Sequence, residues 1–159
     1  MVEEKIASEQ IETMKLGGPK IKVLWVEDEP VTRELCEMLA RHHCWGEIME
    51  IKWLEDGYCA WQVIKSGRPN IFITDDSHPG LWGTELLRMM NKQKIKIPAL
   101  FFSGNAWLSD AAKVMEWRAT LPYLHVDYLQ KPFFPSDLQT KVEGLYQVAI
   151  KTLSVRQVA

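Results

Sequence analysis

The sequence predicts a doubly wound α/β domain: one five-stranded parallel sheet with helices on both faces. Two observations predict it. Strand-length runs, most of them apolar, alternate five times with stretches of helical spacing. Most of those runs stop abruptly on a charged or polar residue, as strands do when their carboxyl ends line a crevice. The most informative is Ile71-Phe72-Ile73-Thr74-Asp75, which ends on an acid and is followed by Pro79, Gly80 and Gly83.

Taken in order, residues 1–18 read as an N-terminal extension. Val2, Ile6, Met14 and Leu16 are loosely spaced, and Gly17-Gly18-Pro19 breaks whatever precedes it. A packed helix, a homodimer contact and a natural or vector-derived tail all remain open for it. Residues 19–153 read as the domain and 154–159 as a tail. Ile21 to Val26 is a nearly continuous apolar run, the mark of a buried parallel strand. Pro30 suits the first turn of a helix, which carries Leu35, Met38 and Leu39 to about His43. Ile48 to Trp53 is the second strand. A helix from Asp56 to Ser66 follows, with Cys59, Ala60, Val63 and Ile64 as its apolar stripe and Gly67 closing it. After the third strand, Thr84 to Lys94 is a helix bearing Leu86, Leu87 and Met90. Pro98 to Phe102 is strand four, Leu108 to Arg118 the fourth helix, and His125 to Gln130 strand five. The last helix runs from Pro135 to about Leu153, with Leu138, Val142, Leu145 and Val148 inward.

The chain has 159 residues, 47% of them apolar and 25% charged, with a net charge of −2. Such a chain forms one domain with an ordinary core, and its charge gives no general affinity for nucleic acid or anionic membrane. Met1-Val2-Glu3-Glu4 opens acidic with no apolar core behind it, and no run is long enough to span a bilayer. Cys36, Cys44 and Cys59 are odd in number and lack metal-ligand spacing, so reduced, partly buried thiols and a cytoplasmic location are expected.

Strand one ends on Glu27 and Asp28, strand three on Asp75, strand four on Ser103 and strand five on Lys131. In a parallel sheet these ends share one edge, so three carboxylates, one hydroxyl and one ammonium converge there. Close carboxylates repel unless a cation sits between them, and a hard divalent ion such as Mg²⁺ suits an all-oxygen set. Lys131 adds a point charge for an anion. The set fits phosphoryl transfer, which is mostly positioning and charge neutralisation.

These residues and their order resemble a response-regulator receiver domain over roughly residues 20 to 150. The resemblance rests on Val23 to Pro30, on Asp75 with Pro79, Gly80 and Gly83, on Ile97 to Gly104, and on Asp127 to Phe133. It implies a flavodoxin-like strand order 2-1-3-4-5. Asp75 becomes the phosphoacceptor. Glu27, Asp28, Asp75 and the backbone carbonyl of Ser77 become the Mg²⁺ ligands. Lys131 pairs with Asp75 and then with its phosphoryl group, and the Lys131-Pro132 peptide is expected to be cis. Ser103 and Tyr128 become the switch pair that biases the surface of helix four, strand five and helix five. Ser77 and Asn105 hold positions where the family tunes self-dephosphorylation. The implied partners are a histidine kinase or histidine phosphotransfer protein and a downstream protein target, with no nucleic acid or membrane contact by this chain. The implied catalysis is limited to the domain's own phosphorylation and dephosphorylation. No output sequence follows the last helix, which leaves a stand-alone regulator and a piece of a larger protein both open.

The chain also departs from the family pattern. Glu27 replaces the commoner Asp, Gly104 the usual Ala, Trp82 an Asp or Asn, and His78 a generally apolar residue, often Met. Ala119 to His125 lengthens the segment before strand five. These departures motivate an alternative: a receiver-like interaction module working without phosphorylation. On the residues alone, Asp76 reads as a solvated neighbour of Asp75 and His78 as an ordinary loop histidine. His42 and His43 read as a fraying helix end, and Trp107 and Trp117 as core packing unless exposed.

Overall fold

The computed structural model describes Glu9, Glu12 and residues 19–158; apart from those two glutamates, the N-terminal extension lies outside the described residues. Five strands, β1 (Ile21–Val26), β2 (Met49–Leu54), β3 (Ile71–Asp75), β4 (Ala99–Ser103) and β5 (Val126–Gln130), alternate with five α-helices. These are α1 (Pro30–His42), α2 (Gly57–Gly67), α3 (Gly83–Lys92), α4 (Ala111–Ala119) and α5 (Pro135–Val158). The strands form one sheet in the order β2-β1-β3-β4-β5 with parallel pairing throughout.

Strand alternation divides the core in two. Val23, Trp25, Ile71, Ile73, Leu100 and Phe102 pack with α1 and α5 on one face. Leu24, Val26, Phe72, Ala99 and Phe101 pack with α2, α3 and α4 on the other. Full burial of each Val, Leu, Ile or Phe side chain among these stabilises by about 1.5–3 kcal/mol. The register brings Val26 beside Thr74, Asp75 beside Phe102, and Ser103 beside Gln130, so the strands end nearly level.

Several boundaries differ from the sequence reading. Cys59 is exposed: α2 turns Gly57, Ala60, Trp61 and Ile64 inward, a cleaner 3.6-residue stripe than one through Cys59. Cys44 is exposed as well, leaving Cys36 as the buried thiol of three free cysteines. Burial, and next the nearby Glu27 charge, pushes the Cys36 thiol up to about 12. The fourth helix starts later than expected. Residues Ala106–Ser109 form a 3₁₀ turn, and Asp110 then caps α4 by accepting from Ala112 N (3.0 Å) and Lys113 N (3.3 Å). The last helix does not stop near Leu153 but runs to Val158 through the expected tail. Along it Val148 is half-buried, and Ala149 and Ile150 complete the inward stripe.

The segment before β5 is anchored. Leu121 is buried in the core, Tyr123 N donates to Asn91 Oδ1 (3.0 Å), and Lys94 Nζ lies 5.1 Å from the Tyr123 ring centroid. Ala99 N donates to His125 O (2.8 Å), which puts this insertion by the amino ends of β4 and β5. Trp107 and Trp117 pack edge to face (5.2 Å) and against Phe101, so core packing explains them.

Candidate functional site

β1 carries Glu27 and Asp28 to the carboxyl edge of the sheet, β3 carries Asp75 and β5 carries Lys131 just beyond its end. Glu27 is fully buried: its backbone N–H donates to Leu54 O (3.0 Å), and Glu29 N donates to its Oε1 (3.0 Å). Lys131 Nζ donates to Asp75 Oδ2 (2.9 Å) and to Glu27 Oε2 (3.2 Å), and lies 5.1 Å from the Phe102 ring centroid. Asp76 N donates to the remaining Asp75 oxygen, Oδ1 (2.7 Å). The Lys131-Pro132 peptide is cis.

Glu27, Asp28 and Asp75 each offer one carboxylate oxygen, and these oxygens lie within 4.8 Å of one another. Three hard oxygen donors facing one ammonium leave an excess of negative charge, the environment a divalent cation neutralises. The cluster could therefore hold a metal ion.

Ser103 is buried, its Oγ accepting from Asn105 N (3.1 Å) and its carbonyl from Lys131 N (2.9 Å). Ser77 and Asn105 are exposed in the loops after β3 and β4. Tyr128 is half-buried against the second core face, with Lys141 Nζ 5.5 Å from its ring centroid and bonded to Asp127 Oδ1 (2.7 Å). Trp82 precedes α3, half exposed, and Gly104 has open space where an alanine methyl would stand.

Two loop residues differ from their sequence reading. Asp76 is not solvated: it is 7% exposed, and its Oδ1 accepts from Thr84 Oγ1 (3.0 Å) and Thr84 N (3.2 Å), tying the loop to the first turn of α3. His78 is not an ordinary loop histidine: it is 4% exposed, with Nε2 3.1 Å from Thr74 Oγ1. A buried polar side chain that finds its partner four residues back leaves no trace in hydropathy. His42 and His43 end α1 as expected, and His43 stacks on Trp45.

Burial raises the Glu27 carboxyl above its ordinary value; the Glu29 N–H and Lys131 only partly oppose it. Burial works against the Lys131 charge, but the hydrogen bond and charge of Asp75, and then those of Glu27, outweigh it and raise its pKa. For Glu27 the folded chain binds a proton more readily than the unfolded chain. Its contribution to stability therefore falls as pH rises from the unfolded value toward the raised folded one. In metal-free buffer, Glu27→Gln is expected to raise Tm at neutral pH and to flatten the pH dependence above 4.5, the ordinary glutamate value. Each kcal/mol regained moves Tm by about 2–4 °C. Differential scanning calorimetry across pH checks this, and an unchanged pH profile would contradict it.

The family model described as the response regulator receiver domain matches residues 23–143. Among curated proteins, the chain is 27% identical to the "Transcriptional regulatory protein TrcR" of Mycobacterium tuberculosis, covering 82% of this chain and 47% of that one. It is 32% identical to the "Two-component response regulator-like PRR37" of Oryza sativa, covering 75% of this chain and 15% of that one. The chain thus spans about half the length, or less, of these relatives. The receiver domain of Francisella response regulator 1452 superposes with a TM-score of 0.64 at 24% identity, covering 80% of this chain and 98% of that one. The signal receiver domain of a Luxo repressor protein from Vibrio parahaemolyticus gives 0.66 at 21%, covering 88% and 97%. Sheet order, edge chemistry and these likenesses agree, and the chain belongs to the response-regulator receiver family.

Proposed function

We propose that this chain is a phosphoaccepting receiver that takes a phosphoryl group onto Asp75 and signals through the α4, β5 and α5 surface. One observation carries the reading: a single ammonium, Lys131, bridges Asp75 (2.9 Å) and buried Glu27 (3.2 Å) inside a cluster of three carboxylates. A lysine serving stability alone has no need of the third acid. Glu27, Asp28 and Asp75, with the Ser77 carbonyl, would hold Mg²⁺, which supplies charge neutralisation for an incoming phosphate.

In the transfer, an Asp75 carboxylate oxygen forms a bond to phosphorus as the donor's phosphorus–nitrogen bond breaks, and the donor imidazole keeps the electron pair. The product is an acyl phosphate. Lys131 offsets charge on the acceptor and then on the phosphoryl oxygens. Ser103 and Tyr128 would respond to the new group, and Ser77 and Asn105 would set its lifetime. The donor would be a histidine kinase or histidine phosphotransfer protein, and the output a downstream protein.

Intact-protein mass spectrometry with Mg²⁺ and acetyl phosphate tests this. One phosphoryl adduct that does not form when Mg²⁺ is chelated beforehand is expected. No adduct, with no Mg²⁺-dependent change in tryptophan fluorescence, would favour the phosphorylation-independent module.

A further inference from the structure

A buried hydrogen-bonded chain leads to Asp75 from a residue that the transfer itself does not use. His78 Nε2 lies 3.1 Å from Thr74 Oγ1, and that hydroxyl lies 2.7 Å from the backbone carbonyl of Asp75. A carbonyl only accepts, so the single hydroxyl proton of Thr74 goes to Asp75, and Thr74 accepts from His78. The Nε2–H tautomer is the one that makes both bonds. The other ring nitrogen, Nδ1, is buried without a partner among the described residues.

The chain ends on the peptide that orients the acceptor. The carbonyl of the Asp75–Asp76 peptide takes the Thr74 hydroxyl, while its N–H donates to Phe102 O (3.2 Å) and to Asp75 Oδ1 (2.7 Å). Gly83 closes over the same carbonyl, since a Cβ there would stand 2.3 Å from Asp75 O. The plane of this peptide therefore sets the direction of one Asp75 oxygen, and with it how the other meets Lys131.

We propose that His78 is a positioning residue for the acceptor carboxylate, acting through Thr74 and the Asp75–Asp76 peptide. The proposal rests on the phosphoaccepting reading for its kinetic consequence, while the hydrogen-bonded chain stands apart from it. The family's usual apolar residue at this position would fill the space but leave the Thr74 hydroxyl with one bond.

The test compares His78→Met, which fills the site without a donor, with His78→Gln, whose amide restores one. With acetyl phosphate and saturating Mg²⁺, His78→Met should slow adduct formation about fivefold, the scale of one neutral hydrogen bond. His78→Gln should return the rate to within about twofold of the original, a rescue that lost packing alone does not give. Thr74→Val should slow the reaction similarly, and adding His78→Met to it should cost nothing more. A glutamine no better than methionine, or additive losses, would overturn the proposal. If the unaltered chain takes no phosphoryl group, the phosphoaccepting reading fails instead, and nitrogen-15 NMR reads the chain directly. The Nε2–H tautomer and an Asp76 amide proton that shifts in His78→Met but returns in His78→Gln would then support it. A proton on Nδ1 instead would overturn it.

Discussion

Asp75→Asn is expected to abolish the phosphoryl adduct entirely, whereas Asp76→Asn leaves one adduct per chain. The two acids are adjacent, yet the structure gives them different contacts. Asp75 faces Lys131 within the carboxylate cluster, with Oδ2 held at 2.9 Å. Asp76 spends its Oδ1 on the N–H and hydroxyl of Thr84. An asparagine at 76 keeps an oxygen that can accept both bonds, so the loop stays seated. An asparagine at 75 keeps the acceptor for Asp76 N but loses the carboxylate that would attack phosphorus, and with it the charge toward Lys131. Intact-mass measurement of both variants, with Mg²⁺ and acetyl phosphate, decides between them. An adduct that persists in Asp75→Asn and vanishes in Asp76→Asn would exchange the two assignments.

Gly57→Ala should be the most destabilising of the small substitutions, by about 3 kcal/mol or more, or roughly 6–12 °C in Tm. A Cβ on Gly57 would stand 1.9 Å from the carbonyl oxygen of Leu81 and 2.7 Å from its carbonyl carbon and nitrogen. Those are backbone atoms, so relief requires moving the chain between Asp75 and Gly83. The same residue donates its N–H to Pro79 O (2.9 Å), which binds the first turn of α2 to that loop. Gly144 on α5 gives the opposite expectation. It is exposed, no atom beyond its own stretch of helix backbone lies within 4 Å of the added carbon, and alanine there should stabilise by about 0.5–1 kcal/mol through helix propensity. Thermal or urea unfolding of the two variants checks the pair, and a Gly57→Ala chain as stable as the original would refute the steric account.

The strands were legible because β1, β3 and β4 are short, nearly continuous apolar runs bounded by punctuation, β2 alternates as an edge strand does, and the strands that meet the site end on the residues that form it. Glu27, Asp75 and Lys131 could be placed on one edge from strand ends alone, since a parallel sheet brings like ends together. What escaped the sequence was pairing across a loop. Asp76 and Thr84 are eight residues apart and meet only after Gly83 allows α3 to start against the Asp75 carbonyl. His78 looks like a polar loop residue until Thr74 is known to face the same side of the sheet. The end of α5 was missed for another reason: no glycine or proline after Leu153 marks a stop. The late start of α4 had a usable signal, because Asp110 is a good cap standing just before the helix.

The stacking of Trp25 on Trp53, with centroids 4.6 Å apart and planes at 27°, has an optical consequence. Two indoles this close couple their excited states, so the folded chain should carry a paired, opposite-signed band in its aromatic circular dichroism. Trp53 lies on the edge strand, and Trp25 lies 6.4 Å from Phe102, the ring beneath Lys131. The coupled pair is thus a chromophore that joins the edge strand to β1, one ring contact away from Phe102 and Lys131, and it needs no label to be seen.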